Sequence, residues 1–357
     1  MSHASPEQAQ EIAPDAPGHP DWSRVRLHVV TGKGGAGKTT VAAALALTLA
    51  SLGARVLLCE VEGRQGVSQA LDVPPLATTE ERIMRVSGGG EVWGLAVEAK
   101  AALIEYLSIF YHLGSAGGIL ERLGAIDFAT TVAPGVRDVL SIGKVYEATG
   151  RQGDRAYDAV VLDAPPTGRV LPFLNVNQEV AQLTKVGPIS RQAESISRLL
   201  RSPRCKVHVV TLLEEMPVQE TIDAVGELRA EGFGVGAVIV NQARSAYFEP
   251  EQSERIRDGA VPATAVATAL AQVGLGGLGG MDNGSAAAGA PPGTVAAQAL
   301  LRQARANVER IELEDTQLTQ LEELDVPIHM LPHVLDPTGA SSVRELAQEL
   351  ADQAVWG

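Results

Sequence analysis

Gly32-Lys33-Gly34-Gly35-Ala36-Gly37-Lys38-Thr39 is the stretch from which the rest of this chain is read. Its glycines let the backbone adopt conformations closed to other residues, so that successive N–H groups converge into a nest for an anion. The spacing is G-x-x-x-x-G-K-[ST], in which backbone amides cradle phosphates, the lysine reaches the terminal phosphates and the hydroxyl residue binds Mg2+. Context strengthens the pattern. Val25–Val30 before it is a short β-rich run, and Thr39–Leu52 after it is an Ala/Leu helix closed by Gly53. A helix that starts near Lys38 adds the partial positive charge of its N-terminus. Lys38 is therefore expected at the β- and γ-phosphates, Thr39 on Mg2+, and Gly34, Gly35, Ala36 and Gly37 around the phosphate chain. Lys33, a second lysine inside the loop, is read either as a solvated cation or as a source of transition-state charge, with a facing subunit as one way to use it.

Outward from the loop, β-type runs recur at Arg55–Val61, Val92–Val97, Tyr157–Leu162, Lys206–Leu212, Val235–Asn241 and Val326–Leu331, separated by helical patterns. Alternating strands and helices imply an α/β fold with a doubly wound, mostly parallel sheet covered on both faces. The reading places a polar, proline-bearing lead-in at 1–23, a P-loop domain at 24–350 and a tail at 351–357. Within the domain it sets helical insertions at 99–150 and about 175–203, and a flexible Gly/Ala-rich loop at 274–293. Leu103, Tyr106, Leu107, Phe110 and Leu113 follow helical spacing in the first insertion, and Thr294–Leu324 reads as one long amphipathic helix.

The 357 residues include 29 Lys plus Arg against 43 Asp plus Glu, a formal charge of −14. Such a surface repels phosphate backbones and anionic lipid, so nucleic-acid binding is not expected. The longest apolar run near the N-terminus, Val41–Ala50, is half of the roughly 20 residues that cross a bilayer, so no direct membrane insertion is expected either. Cys59 and Cys205 can form neither a disulfide framework nor a four-ligand zinc site, which fits a reducing cytoplasm.

Lys33 to Thr40 resembles the deviant Walker A ATPases, whose loop reads K-G-G-x-G-K-T-[ST]. Within that group the chain is most similar to the arsenite-pump and tail-anchored-protein-targeting ATPases, the anion-transporting family. Asp163-Ala164-Pro165-Pro166-Thr167-Gly168 resembles their D-T-A-P-T-G segment at a strand end. The resemblance implies an ATPase using ATP and Mg2+, with Thr40 joining the loop and Asp163 reaching the metal shell by contact or through water. It implies that Glu62, in Cys59-Glu60-Val61-Glu62-Gly63, stands where the family usually has an Asp that positions the attacking water. The extra methylene matters because misplacing a catalytic group by ~1 Å can cost about 100-fold. It further implies that Asn241 reads adenine, that Pro332 and His333 belong to the loop covering the base, and that Glu220 pairs with a lysine across a dimer. A solvated helix-start carboxylate is the other reading of Glu220.

Departures from the family narrow the function. Arsenite-binding cysteine clusters and the zinc-binding C-x-x-C pair are missing, so arsenic and zinc lack their soft ligands. The arsenite pump joins two ATPase halves in one chain, whereas one loop is found here, so an equivalent assembly takes two chains. The expectation is a Mg-ATP-dependent dimeric switch ATPase, paired with itself or with a related subunit. Its client, a protein or a membrane-associated species, is not identified. The alternative is a nucleotide-binding regulatory or scaffold subunit with little turnover.

Overall fold

The computed structural model describes residues 22, 24–61, 63, 65–98, 101–102, 134–153, 156–183, 188–275, 293–334 and 339–353. Eight strands make one sheet: β1 (Leu27–Gly32), β2 (Arg55–Glu60), β3 (Glu81–Arg85), β4 (Glu91–Ala96), β5 (Ala159–Asp163), β6 (Cys205–Thr211), β7 (Val235–Ala243) and β8 (Ile328–Pro332). Their order is β3-β4-β2-β5-β1-β6-β7-β8. Every pairing is parallel except β3 with β4. Strand β1 therefore lies at the centre, with the chain winding out to either side of it, and the carboxyl end of such a strand is where open α/β sheets bind ligands.

The helices are α1 (Lys38–Ser51), α2 (Gly66–Leu71), α3 (Pro134–Thr149), α4 (Thr167–Leu183), α5 (Pro188–Leu200), α6 (Glu215–Ala230), α7 (Pro250–Arg257), α8 (Ala263–Gln272), α9 (Thr294–Glu322) and α10 (Ala340–Gln353). On one face of the sheet Val30, Val161 and Ile239 pack with Leu45 of α1 and Leu346 of α10. On the other, Val29 and Leu162 pack with Ile142, Phe173, Ile196 and Val225 of α3 to α6. Two covered faces explain why β1 and β5 are buried along their whole length and why their sequences show no polar alternation.

Three features extend or differ from the sequence reading. Strand β3 was not foreseen. It is an antiparallel edge strand whose Arg82 and Arg85 both bond Glu91 of β4, and charges that protect a sheet edge also hide it from a search for apolar runs. Trp22, in the stretch read as lead-in, is buried and meets the rings of His28, His208 and His329 edge-on. Helices α7 and α8 stand between β7 and α9, where no element was assigned. Leu103 to Leu113, Glu62, residues 1–21 and 354–357, and 276–292 of the Gly/Ala-rich loop lie outside the described residues. Among the described residues no helix is long and apolar enough to cross a membrane.

Candidate nucleotide site

The loop leaves the carboxyl end of β1 and enters α1 without an intervening side-chain cap; Gly37 stands at the N-cap with φ 88°. Gly35 also has φ 88°, a left-handed conformation that a side chain would strain, and nothing lies within 4 Å of where its Cβ would be. Gly37 faces a closer neighbour, since a Cβ there would stand 2.2 Å from Nδ2 of Asn241. That Nδ2 donates to the Ala36 carbonyl at 2.9 Å. Asn241 therefore grips the loop from near the end of β7, and Gln242 after it has φ 57°, within the irregularity that shifts the register before Ala243 pairs with Pro332.

Asp163 closes β5 in register with Val30 of β1 and Glu60 of β2. Its carboxylate, almost buried, accepts a hydrogen bond from the Thr39 hydroxyl at 2.6 Å. Residues 124 apart in sequence are thus brought together as two adjacent hard oxygen donors, the chemistry that Mg2+ takes through one or two protein ligands, with waters and phosphates completing its shell. Lys38 bends back over the loop and donates to the Lys33 carbonyl at 3.3 Å. Just beyond Asp163, the Pro165 carbonyl accepts from the Thr31 hydroxyl at 2.7 Å, which ties the Pro-Pro-Thr-Gly segment to β1.

The Lys33 side chain turns outward and meets Glu220 of α6 in the same chain at 2.8 Å, both groups about one-third exposed (32% and 37%). An ion pair this exposed is worth at most about 1 kcal/mol, so Lys33 can exchange partners readily. Pro332 ends β8 opposite Ala243, and the His333 N–H donates to the Ala243 carbonyl at 2.8 Å. The two residues thereby lie beside the strand end that carries Asn241.

The structure gathers Lys33, Gly34 to Thr40, Asp163 and Asn241 at the carboxyl ends of β1, β5 and β7; Glu62 lies outside the described residues. The sequence reading passed over Glu60, the last residue of β2 and nearly buried. Its carboxylate accepts from the N–H groups of Gly66 at 2.9 Å and Val67 at 3.5 Å, so it seats α2, whose Gly66 packs on Thr39. The signal was present: Glu60 is the one carboxylate within the apolar run that makes β2. Both cysteines are buried, and burial holds the Cys205 thiol up at about 12 and that of Cys59 higher still, so neither is available as a thiolate.

Residues 25–203 match the sequence profile of the anion-transporting ATPases. The chain is 45% identical over 336 residues to ATPase BagA of Mycobacterium tuberculosis, covering 93% of this chain and 94% of the relative. It is 25% identical over 270 residues to ATPase GET3 of Lachancea thermotolerans, covering 63% of this chain and 64% of the relative.

Proposed function

The chain belongs to the anion-transporting ATPase family, and from that premise we propose that it is a Mg-ATP-dependent switch ATPase that works as a dimer and couples nucleotide state to an unidentified protein or membrane-associated client. The observation that carries this reading is the Thr39–Asp163 contact at 2.6 Å inside a glycine cradle. That contact brings together residues that follow two neighbouring central strands, β1 and β5, as a phosphate and metal site requires. In this reading the amides of Gly34 to Thr40 bind the phosphate chain, Lys38 turns from the Lys33 carbonyl to the terminal phosphates, and Thr39 and Asp163 hold the cation. Bound Mg2+ supplies charge neutralisation on the transferring phosphoryl group. Glu62 orients water for attack on the γ-phosphorus, breaking the bond to the ADP oxygen. Asp163 is continuous with the segment tied to Thr31, so loss of the γ-phosphate is felt at 164–168, as in switch loops. Asn241, Pro332 and His333 border the base. Two buried free thiols suit a cytoplasmic site of action.

Dimerisation is supported by one loop per chain and by Lys33, whose side chain points out of its own cradle toward Glu220. Closure on a second subunit exchanges Glu220 for a γ-phosphate, a charge-assisted contact stronger than the exposed pair it replaces. Sedimentation with a slowly hydrolysed ATP analogue tests this, using a co-purifying related subunit where one is found. ATP tightens association of the wild type, and Lys33→Ala weakens that tightening while leaving ATP affinity largely intact. Identical association of the two proteins makes Lys33 a bystander. A second reading, a regulatory subunit with little turnover, is favoured by one observation, the longer Glu62 in place of an aspartate. Steady-state ATPase assays separate the two readings.

A further inference from the structure

The helical unit between β7 and β8 does not finish its own burial. Helix α8 (ATAVATALAQ) contains no charged residue, yet it buries only Ala267. Six of the eight large apolar side chains that stand exposed among the described residues belong to residues 247–313, including Tyr247 at 76%, Val273 at 69% and Leu300 at 43%. Between α7, α8 and the first half of α9 runs a groove of about 780 Å³ floored by Phe248, Ile256, Val266, Leu300 and Leu301. Apolar surface concentrated in one concavity is a mark of an interaction site, whereas scattered exposed residues are not.

The rim supplies the chemistry of the occupant. Arg255 borders this groove, and Arg302 and Arg305 border an adjoining depression of about 270 Å³, against a single acidic lining residue, Glu309. Arg305 is held by the Ile256 carbonyl, but Arg255 and Arg302 have no ion-pair partner among the described residues. Arginines with no ion-pair partner among the described residues, around an apolar floor on a chain whose net charge is −14, select for carboxylates at the edge of an apolar surface. We propose that this groove docks an amphipathic helix of a partner protein, with apolar side chains at i, i+3 or i+4 and i+7 flanked by Asp or Glu.

Competing occupants fit less well. A second copy joined through the same face would be isologous, bringing arginine rim against arginine rim. An anionic bilayer meets a convex, strongly basic face, whereas this surface is concave and the whole chain acidic. The inference stands apart from ATP hydrolysis, since none of the groove residues belongs to the phosphate loop.

A displayed library of helical peptides of about 16 residues, four to five turns, panned against the full chain, provides the test. The peptides that enrich carry an apolar stripe and a net negative charge. Leu300→Ser weakens them by about tenfold, the cost of one interface anchor, with an unchanged melting curve because Leu300 is partly exposed. Arg255→Glu combined with Arg302→Glu reverses the preference, so that versions with Lys for Glu bind better. The proposal is overturned if the enriched peptides bind Leu300→Ser as well as wild type, if they are cationic, or if no helical family enriches. It is also overturned if wild type binds phosphatidylcholine–phosphatidylserine vesicles through these same residues, or if Leu300→Ser converts a sedimenting dimer to monomer.

Discussion

Strand β1 carries a polar group near each end. At its carboxyl end the chain passes into Lys38 and Thr39, beside Asp163 of β5, all within reach of solvent or each other. Near its amino end, His28 is fully buried, its Nδ1 3.1 Å from Nε2 of His208 on β6, the two rings stacked at 14° beneath Trp22. Burial lowers the His28 pKa to about 3 and holds His208 well below the ordinary histidine range, the neighbouring His28, His329 and Lys206 adding to the effect. The upper end keeps charge available and leaves space over Gly35; the lower end excludes charge and fills its space with rings. In the proposed reading one strand thus serves a nucleotide at one end and stability at the other, and a polar residue in a buried strand means different things according to which end it occupies.

Removing the ring cap should produce the largest effect. Trp22→Ala is expected to destabilise the fold by about 3–5 kcal/mol, since a large side chain leaves a cavity behind, and to leave the Mg-ATP affinity of the folded fraction unchanged. Urea denaturation paired with calorimetric ATP titration reads both; lost affinity in fully folded protein would erase the division between the two ends. Lys38→Ala is expected to do the reverse, weakening Mg-ATP by about 100-fold, or about 2.7 kcal/mol, with little change in urea midpoint. Unchanged affinity would remove the loop from nucleotide binding.

The pH dependence sharpens the comparison with a smaller effect. Folded His28 and His208 stay neutral while the unfolded chain takes up protons below pH 6.5, so the unfolded state binds more protons and acid destabilises the fold. Above pH 6.5 these groups contribute no pH dependence. Below it, stability falls by about 1.4 kcal/mol per pH unit for each such histidine, continuing toward pH 3 for His28. Urea titrations at pH 7.5 and 5.5, above most carboxylate titration, should show the loss, and His28→Gln should make it shallower. A flat profile would mean that the rings are solvated or charged in the fold.

The candidate nucleotide site was legible where it is local. Gly32 to Thr39 needs no distant residue to be recognised, and Asp163 was singled out by the resemblance of the segment Asp163 to Gly168 to a family segment, at the end of a hydrophobic strand. Glu60 was not singled out: its place as the one carboxylate of β2 marks it, but only the fold shows that its oxygens accept from the N–H groups of Gly66 and Val67. The lower end was silent: Trp22, His28, His208 and His329 look like isolated polar or aromatic residues in four separate segments. Helices α7 and α8 were missed because α7 spans only eight residues and α8 is apolar without a polar face, so neither carries a helical stripe.

By itself, the sequence determined the glycine-rich strand-to-helix loop, the mostly parallel α/β class and the acidic surface, because glycine freedom, strand-length apolar runs and charge are properties of residues or short windows. Only the tertiary structure decided that Lys33 rests on Glu220 of its own chain, that Asn241 braces the loop at Ala36, and that three histidines share one Trp-capped pocket. The Lys33–Glu220, Asn241–Ala36 and His28–His208 pairings join residues from 180 to 205 positions apart, and His329 meets Trp22 across a longer span still. Strand order and register set them, and both are fixed by the burial of two sheet faces at once, a condition that no single segment expresses.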